Sequence, residues 1–200
     1  MGSLFRCFKP PGDRVTILTV VWKGILPAGR YPTAFALAPL PAIRLDDVMS
    51  LETVRTFFSE KAPDISVIVT DASSATVALA AEAHGVEPDQ IAKTICLRIG
   101  EEVVLVVAAG TRRLDNRKFK DRFGVKPRML GAEDVVEATS HPVGGVCPFG
   151  LPSDLKIYCD VSLKSFDEVV PAAGATNSAV RIAPSRLAEL TDAEWADLCQ

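Results

Sequence analysis

The sequence predicts a single mixed α/β domain, closer to an α+β arrangement than to a regular alternation of strands and helices. Three observations predict it. Two apolar runs, AKTICLRI at 92–99 and VVLVVAAG at 103–110, flank a Gly-containing turn and read as a hairpin. Segments with helical spacing or caps sit between shorter strand-like runs in irregular order. No G-x-G-x-x-G follows a strand and no Walker lysine pattern occurs, so a Rossmann or P-loop reading has no support.

Residues 1–48 read apart from the rest. Pro10, Pro11, Pro27, Pro32, Pro39 and Pro41 punctuate them, and no sustained periodicity appears. VTILTVVW at 15–22 is too short an apolar run, without a following small-residue cleavage site, to make a convincing signal peptide. The expectation is a poorly ordered extension or a gene-model artefact, with the functional chain running from Met49 to Gln200.

From Ser50 the signals are regular. Ser50 is placed to cap a helix whose apolar face is Leu51, Val54, Phe57 and Phe58, stopped by Pro63. ISVIV at 65–69 reads as a strand, and Ser74–His84 as an alanine-rich helix capped by Ser74 and closed by Gly85. PDQI at 88–91 is a turn into the hairpin. A charged helix follows at Asp115–Phe123, ended by Gly124, then a short strand at Pro127–Leu130. A helix at Ala132–Ala138 carries Glu133 and Asp134 in its first turn, where they favour its dipole. Strands are expected at Ile157–Val161, Glu168–Pro171 and Ala179–Ile182. Two closing helices are expected, Pro184–Leu190 and Asp192–Leu198, the second opened by a Thr191–Glu194 capping box.

Composition narrows the function classes. Hydrophobic residues make up 48% and charged residues 24%, as in soluble globular proteins. A net charge of −3 opposes broad phosphate-driven binding of nucleic acid, while leaving room for a local basic patch. Cys7, Cys96, Cys147, Cys159 and Cys199 form no C-x-x-C, so neither a zinc site nor a disulfide framework is expected, and the cytoplasm is the natural setting. With only His84 and His141, metal and His-based triad designs have little material. No apolar run is long enough to span a membrane.

Two places could carry chemistry. TSHPVGGVCPFGLP at 139–152 is too rich in Gly and Pro for a helix or central strand, yet too apolar for a linker. It reads either as a tight structural turn or as a stiff loop that lets a ligand approach Gly144 and Gly145 and meet bare N–H groups. Lys93 alternates onto the same face as Ile95, Leu97 and Ile99. Spacing alone makes it a snorkelling strand-end charge first, and second an ammonium at a pocket rim that holds a phosphate or carbonyl oxygen.

PDQIAKT at 88–94, LDNRKF at 114–119, TSHPVGGVCPFG at 139–150 and IYCDVSL at 157–163 occur in this order. Together they resemble the YbaK/ProX family, free-standing relatives of the editing domain of bacterial prolyl-tRNA synthetases. The resemblance runs from about Met49 to the C-terminus. It implies hydrolysis, in trans, of the ester joining a wrong amino acid to the 3′ end of a tRNA. In it Lys93 is catalytic, binding the phosphate or sugar of the terminal nucleotide and positioning the ester. The family's G-x-x-x-P loop corresponds to Gly144, Gly145, Val146, Cys147 and Pro148, whose backbone N–H groups would hold the substrate carbonyl. Asp160 matches a family aspartate that orients water or substrate, although capping a turn is an equal alternative. Cys147 is expected to pack as a small residue, with no histidine obviously paired to it, and His141 to lie at the surface or in packing. The basic run Arg112, Arg113, Arg117, Lys118, Lys120 and Arg122 is a solvated helix face or a contact for the acceptor backbone.

An aminoacyl ester is already activated, so positioning and backbone donors suffice; no cofactor and no metal is implied. The partners implied are the acceptor end of an aminoacyl-tRNA and a synthetase. One departure stands out: AAGATNSAV at 172–180 keeps Gly174 but has Thr176, Asn177 and Ser178 where YbaK-like members carry basic residues. That weakens a preference for cysteine on proline tRNA and leaves alanine, serine or threonine open. A non-catalytic tRNA- or synthetase-binding module on the same fold is the alternative, and a hydrolase of some other small ester a weaker one.

Overall fold

The computed structural model describes residues 45–200, with side chains from residue 50 onward. In chain order the elements are α1 (Leu45–Lys61), β1 (Ile68–Val69), α2 (Val77–His84), a 3₁₀ turn (Pro88–Gln90), β2 (Ile91–Ile99) and β3 (Glu102–Ala109). There follow α3 (Asn116–Phe123), β4 (Arg128–Met129), α4 (Ala132–Thr139), β5 (Lys156–Asp160), a second 3₁₀ turn (Val161–Ser165), β6 (Val170–Pro171), β7 (Ser178–Ala179), α5 (Pro184–Leu190) and β8 (Glu194–Ala196).

The fold is mixed α/β, as the sequence predicts. The β2–β3 hairpin is its centre, antiparallel from Ala92↔Ala109 to Ile99↔Glu102, with Gly100 at φ +60° in the turn. The sheet order is β4-β2-β3-β5-β8, with β6 also beside β2; β5 and β8 run parallel to their neighbours. β1 and β7 form a separate antiparallel pair.

Alternation along the hairpin sorts its residues onto two faces. Leu97, Val104 and Val106 pack with Phe119 of α3, Tyr158 and Leu198. Ala92, Cys96, Leu105, Val107 and Ala109 face the larger core, with Val54 and Phe58 of α1, Phe149, Leu163 and Leu187. Burying each large side chain there contributes about 1.5–3 kcal/mol, which makes these two faces the main source of stability. Phe149 belongs to the Gly/Pro loop, and its ring lies 4.7 Å from that of Phe58 and 5.6 Å from that of Phe57. The loop is therefore clamped under α1.

Several expectations are corrected. The first helix begins at Leu45, so Ser50 is not its cap; inside the helix, its hydroxyl donates to the Gly174 carbonyl at 2.6 Å. Apart from 45–48, which begin α1, the expected N-terminal extension lies outside the described residues. α2 is capped by Thr76, whose hydroxyl accepts from the Leu79 N–H at 3.3 Å, while the Ser74 hydroxyl donates to the Thr176 carbonyl. Asp192–Leu198 is not a helix. The Thr191 hydroxyl turns back to the Leu187 carbonyl at 2.8 Å, Asp192 takes φ +50°, and 194–196 add to the free edge of β5. A strand edge with unpaired backbone outcompeted a local capping pattern.

Candidate functional site

A cavity of about 270 Å³ opens where the outer edge of β2 loses its partners. β6 covers this edge at Ile91–Ala92 and β4 covers it at Leu97–Arg98, which leaves the stretch between them free. The cavity occupies that gap. Its other walls are the start of α2, the Leu130 and Val135 region, Val143, Gly144 and Val146 of the loop, and Val170, Ala172, Ser178 and Ala179. The lining is mostly small and aliphatic, and it contains no carboxylate among the described residues. The N-terminus of α2 brings its partial positive charge to one wall.

Lys93 lines this cavity, and its ammonium donates to the Gly110 carbonyl at 2.9 Å and to the Arg112 carbonyl. Burial of the ammonium lowers its pKa; the nearby Arg113 charge acts in the same direction, against Cys199 and Asp89. Two of three ammonium protons are thus fixed by backbone, leaving one for a ligand. The turn that supplies the carbonyls is itself held. Asp89 accepts from the Thr111 N–H at 3.0 Å and from the Thr111 hydroxyl, and that side-chain bond keeps its pKa below the usual carboxylate value. A Cβ on Gly110 would lie 2.0 Å from the Pro88 carbonyl oxygen, so the turn closes only around glycine. Asp89 and Gly110 are positioning residues that sequence reasoning missed; the signal was the PD turn immediately before AKT.

The loop meets the cavity at fewer points than expected. Gly144, at φ +92°, and Val146 line it, whereas Gly145, Cys147 and Pro148 do not. The glycines admit protein rather than ligand. A Cβ on Gly144 would sit 2.9 Å from the Ala75 Cβ, and one on Gly145 would sit 2.8 Å from the Ala175 carbonyl carbon. The Gly145 N–H donates to the Pro142 carbonyl and the Cys147 N–H to His141 Nδ1. Among the described residues, the Gly144 and Val146 N–H groups make no hydrogen bond of good geometry, although Val146 closes the turn at 143–145.

With this geometry in view, comparison with known proteins is decisive. The aminoacyl-tRNA editing domain family matches residues 71–190. The chain belongs to this family. Among similar proteins is YwhH of Bacillus subtilis, an uncharacterized protein 46% identical over 76% of this chain and 98% of its own length. The proline–tRNA ligase of Shouchella clausii is 31% identical over 58% of this chain, which corresponds to 21% of that enzyme. A crystal structure described as "a putative trans-editing enzyme for prolyl tRNA synthetase" superposes with a TM-score of 0.71 at 32% identity, covering 76% of this chain and 97% of that one.

Two features of this editing domain lie away from the cavity. Asp160 is 1% exposed and fully engaged by backbone: Oδ1 accepts from the Ser162 N–H, and Oδ2 from the N–H groups of Leu198 and Cys199. The structure does not bring it to the cavity; it caps a turn and ties down the C-terminus. Cys147 does have a histidine beside it, contrary to expectation, since the tight GG turn folds it back to 3.7 Å from His141 Nδ1. Burial pushes the Cys147 thiol up to about 12 and the His141 imidazole down to about 4. Both are held neutral, and neither is exposed, so the pair is core packing and not an activated nucleophile. In the basic run, Lys118 pairs with Asp197 and Arg122 with Glu194, so half-exposed charges there hold the C-terminal segment. No helix among the described residues is long and apolar enough to cross a membrane.

Proposed function

We propose that this editing domain is a cytoplasmic, trans-acting aminoacyl-tRNA deacylase that hydrolyses the ester of a tRNA mischarged with a small amino acid such as cysteine, alanine or serine, with proline tRNA as a candidate carrier. The observation that carries the reading is the cavity lined together by Lys93, the start of α2, Gly144 and Val146. The aminoacyl group enters the aliphatic cavity, whose small volume favours a short side chain. The remaining Lys93 proton holds the terminal ribose or phosphate and fixes the ester at the mouth. Water attacks the carbonyl carbon, the Gly144 and Val146 N–H groups receive the developing oxyanion, and the ribose oxygen leaves with a proton. Kinship with a prolyl-tRNA synthetase and with a structure described as a trans-editing enzyme supports both the substrate class and a synthetase partner.

The test is a deacylation screen of tRNA-Pro charged separately with alanine, cysteine, serine and proline, together with the cognate tRNAs of the first three. Loss of one mischarged species, slowed on the order of 100-fold or more by Lys93→Ala at unchanged melting temperature, is expected. Wild-type rates in Lys93→Ala would refute the role of Lys93. Binding of tRNA without any turnover would move the assignment to a non-catalytic binding module.

A further inference from the structure

Of the hydroxyls in the cavity wall, none used by the mechanism above, one stands apart. Thr94 Oγ1 is buried and has no hydrogen-bond partner among the described residues. The other hydroxyls of the lining, and its lysine, are engaged. Ser74 donates to the Thr176 carbonyl, Thr76 caps α2, Ser178 donates to the Ala175 carbonyl, and Lys93 holds two carbonyls. An isolated buried hydroxyl costs about 1–3 kcal/mol, which the fold tolerates most readily where a ligand supplies the missing partner.

The backbone of the same residue is also open. The Cys96 carbonyl accepts from the Leu130 N–H at 3.3 Å, so even-numbered residues of β2 direct their N–H and C=O toward the outer edge. Thr94 is two residues back on that edge, in the gap between β6 and β4. It therefore turns a carbonyl and an N–H toward the gap, beside its own buried hydroxyl. No carboxylate is among the described residues that line the space, so a donor entering it meets neutral acceptors such as these.

On the deacylase reading, the aminoacyl portion of the substrate carries one strong donor, its α-amino group. We infer that Thr94 is the residue that reads this group, accepting from it with the main-chain carbonyl and with Oγ1. Recognition then rests on neutral acceptors at a strand edge rather than on an ion pair. It holds the amino acid by the part common to all of them, and cavity size remains free to select the side chain.

The test measures binding of two stable mimics of the tRNA terminus, 3′-amino-3′-deoxyadenosine acylated with alanine or with propionic acid, which lacks only the amine. The wild-type protein should bind the alanyl compound about 10-fold or more tightly, a difference of about 1.4 kcal/mol. Thr94→Val, of equal shape, removes Oγ1 but keeps the carbonyl, and should lose a measurable part of that preference while binding the propionyl compound as before. Thr94→Ser should retain it. Equal binding of the two compounds by wild type, or full preference in Thr94→Val, would overturn the assignment while leaving the site intact. Failure of wild type to bind either compound would remove the editing site itself and this inference with it.

Discussion

Acidification should expose the cost of the buried imidazole. His141 is fully buried, and the folded protein protonates it only below about pH 4, whereas an unfolded chain does so below about 6.5. Between those values the unfolded state holds more protons, so stability falls as pH drops through the window and is unaffected above it. The gap of roughly 2.5 pH units corresponds to about 3 kcal/mol, most of it lost by about pH 4.5. The clean comparison is His141→Asn, whose side-chain oxygen can stand where Nδ1 now accepts from the Cys147 N–H. Both proteins would be unfolded with urea at intervals from about pH 7.5 to about pH 4.5 and extrapolated to water. The variant should be less stable at neutral pH, because it leaves a small void. The wild type should nevertheless lose about 2–3 kcal/mol more than the variant on acidification, since the carboxylates and His84 titrate in both. Parallel profiles, within about 1 kcal/mol throughout, would refute the reasoning and mean that water or movement solvates the imidazolium.

Three further outcomes are expected. Asp160→Ala strips the acceptor from the N–H groups of Ser162, Leu198 and Cys199; it should cost about 2–5 kcal/mol and speed amide exchange at 198–199. A loss of turnover with stability and exchange unchanged would instead return Asp160 to the substrate. Gly145→Ala forces a Cβ against the Ala175 backbone and should cost about 1–3 kcal/mol, seen as a melting temperature lower by several degrees. An unshifted melt would mean the loop is looser than its contacts indicate. Cys147→Ala should leave deacylation within a few-fold of wild type, because the thiol is buried and held protonated near 12. Abolished turnover in a folded variant would make the thiol a participant after all.

Much of this protein is written locally. The hairpin at 92–110 follows from two apolar runs about Gly100, and α3 follows from Asp115, which accepts from the Arg117 and Lys118 N–H groups, and from Gly124 at φ +76°. The order of PDQIAKT and TSHPVGGVCPFG was enough to mark the editing family. What tertiary structure decided is which residues of those motifs face the cavity. Gly145, Cys147 and Pro148 share a motif with Gly144 and Val146 yet turn elsewhere, because neighbours distant in sequence, Ala75 and Ala175, set where the loop backbone can run. Asp160 reads like a site residue until the chain end, nearly forty positions later, delivers two N–H groups to it. Glu194–Ala196 carries a helix-start pattern and becomes a strand, because an open sheet edge satisfies more backbone groups than an isolated turn of helix could. Thr94 shows the same division: sequence places it beside Lys93, but only the gap between β6 and β4 leaves its backbone without a strand partner at the cavity wall. Short-range spacing fixes local geometry, while unpaired hydrogen-bonding groups are settled only when every other segment has taken its place.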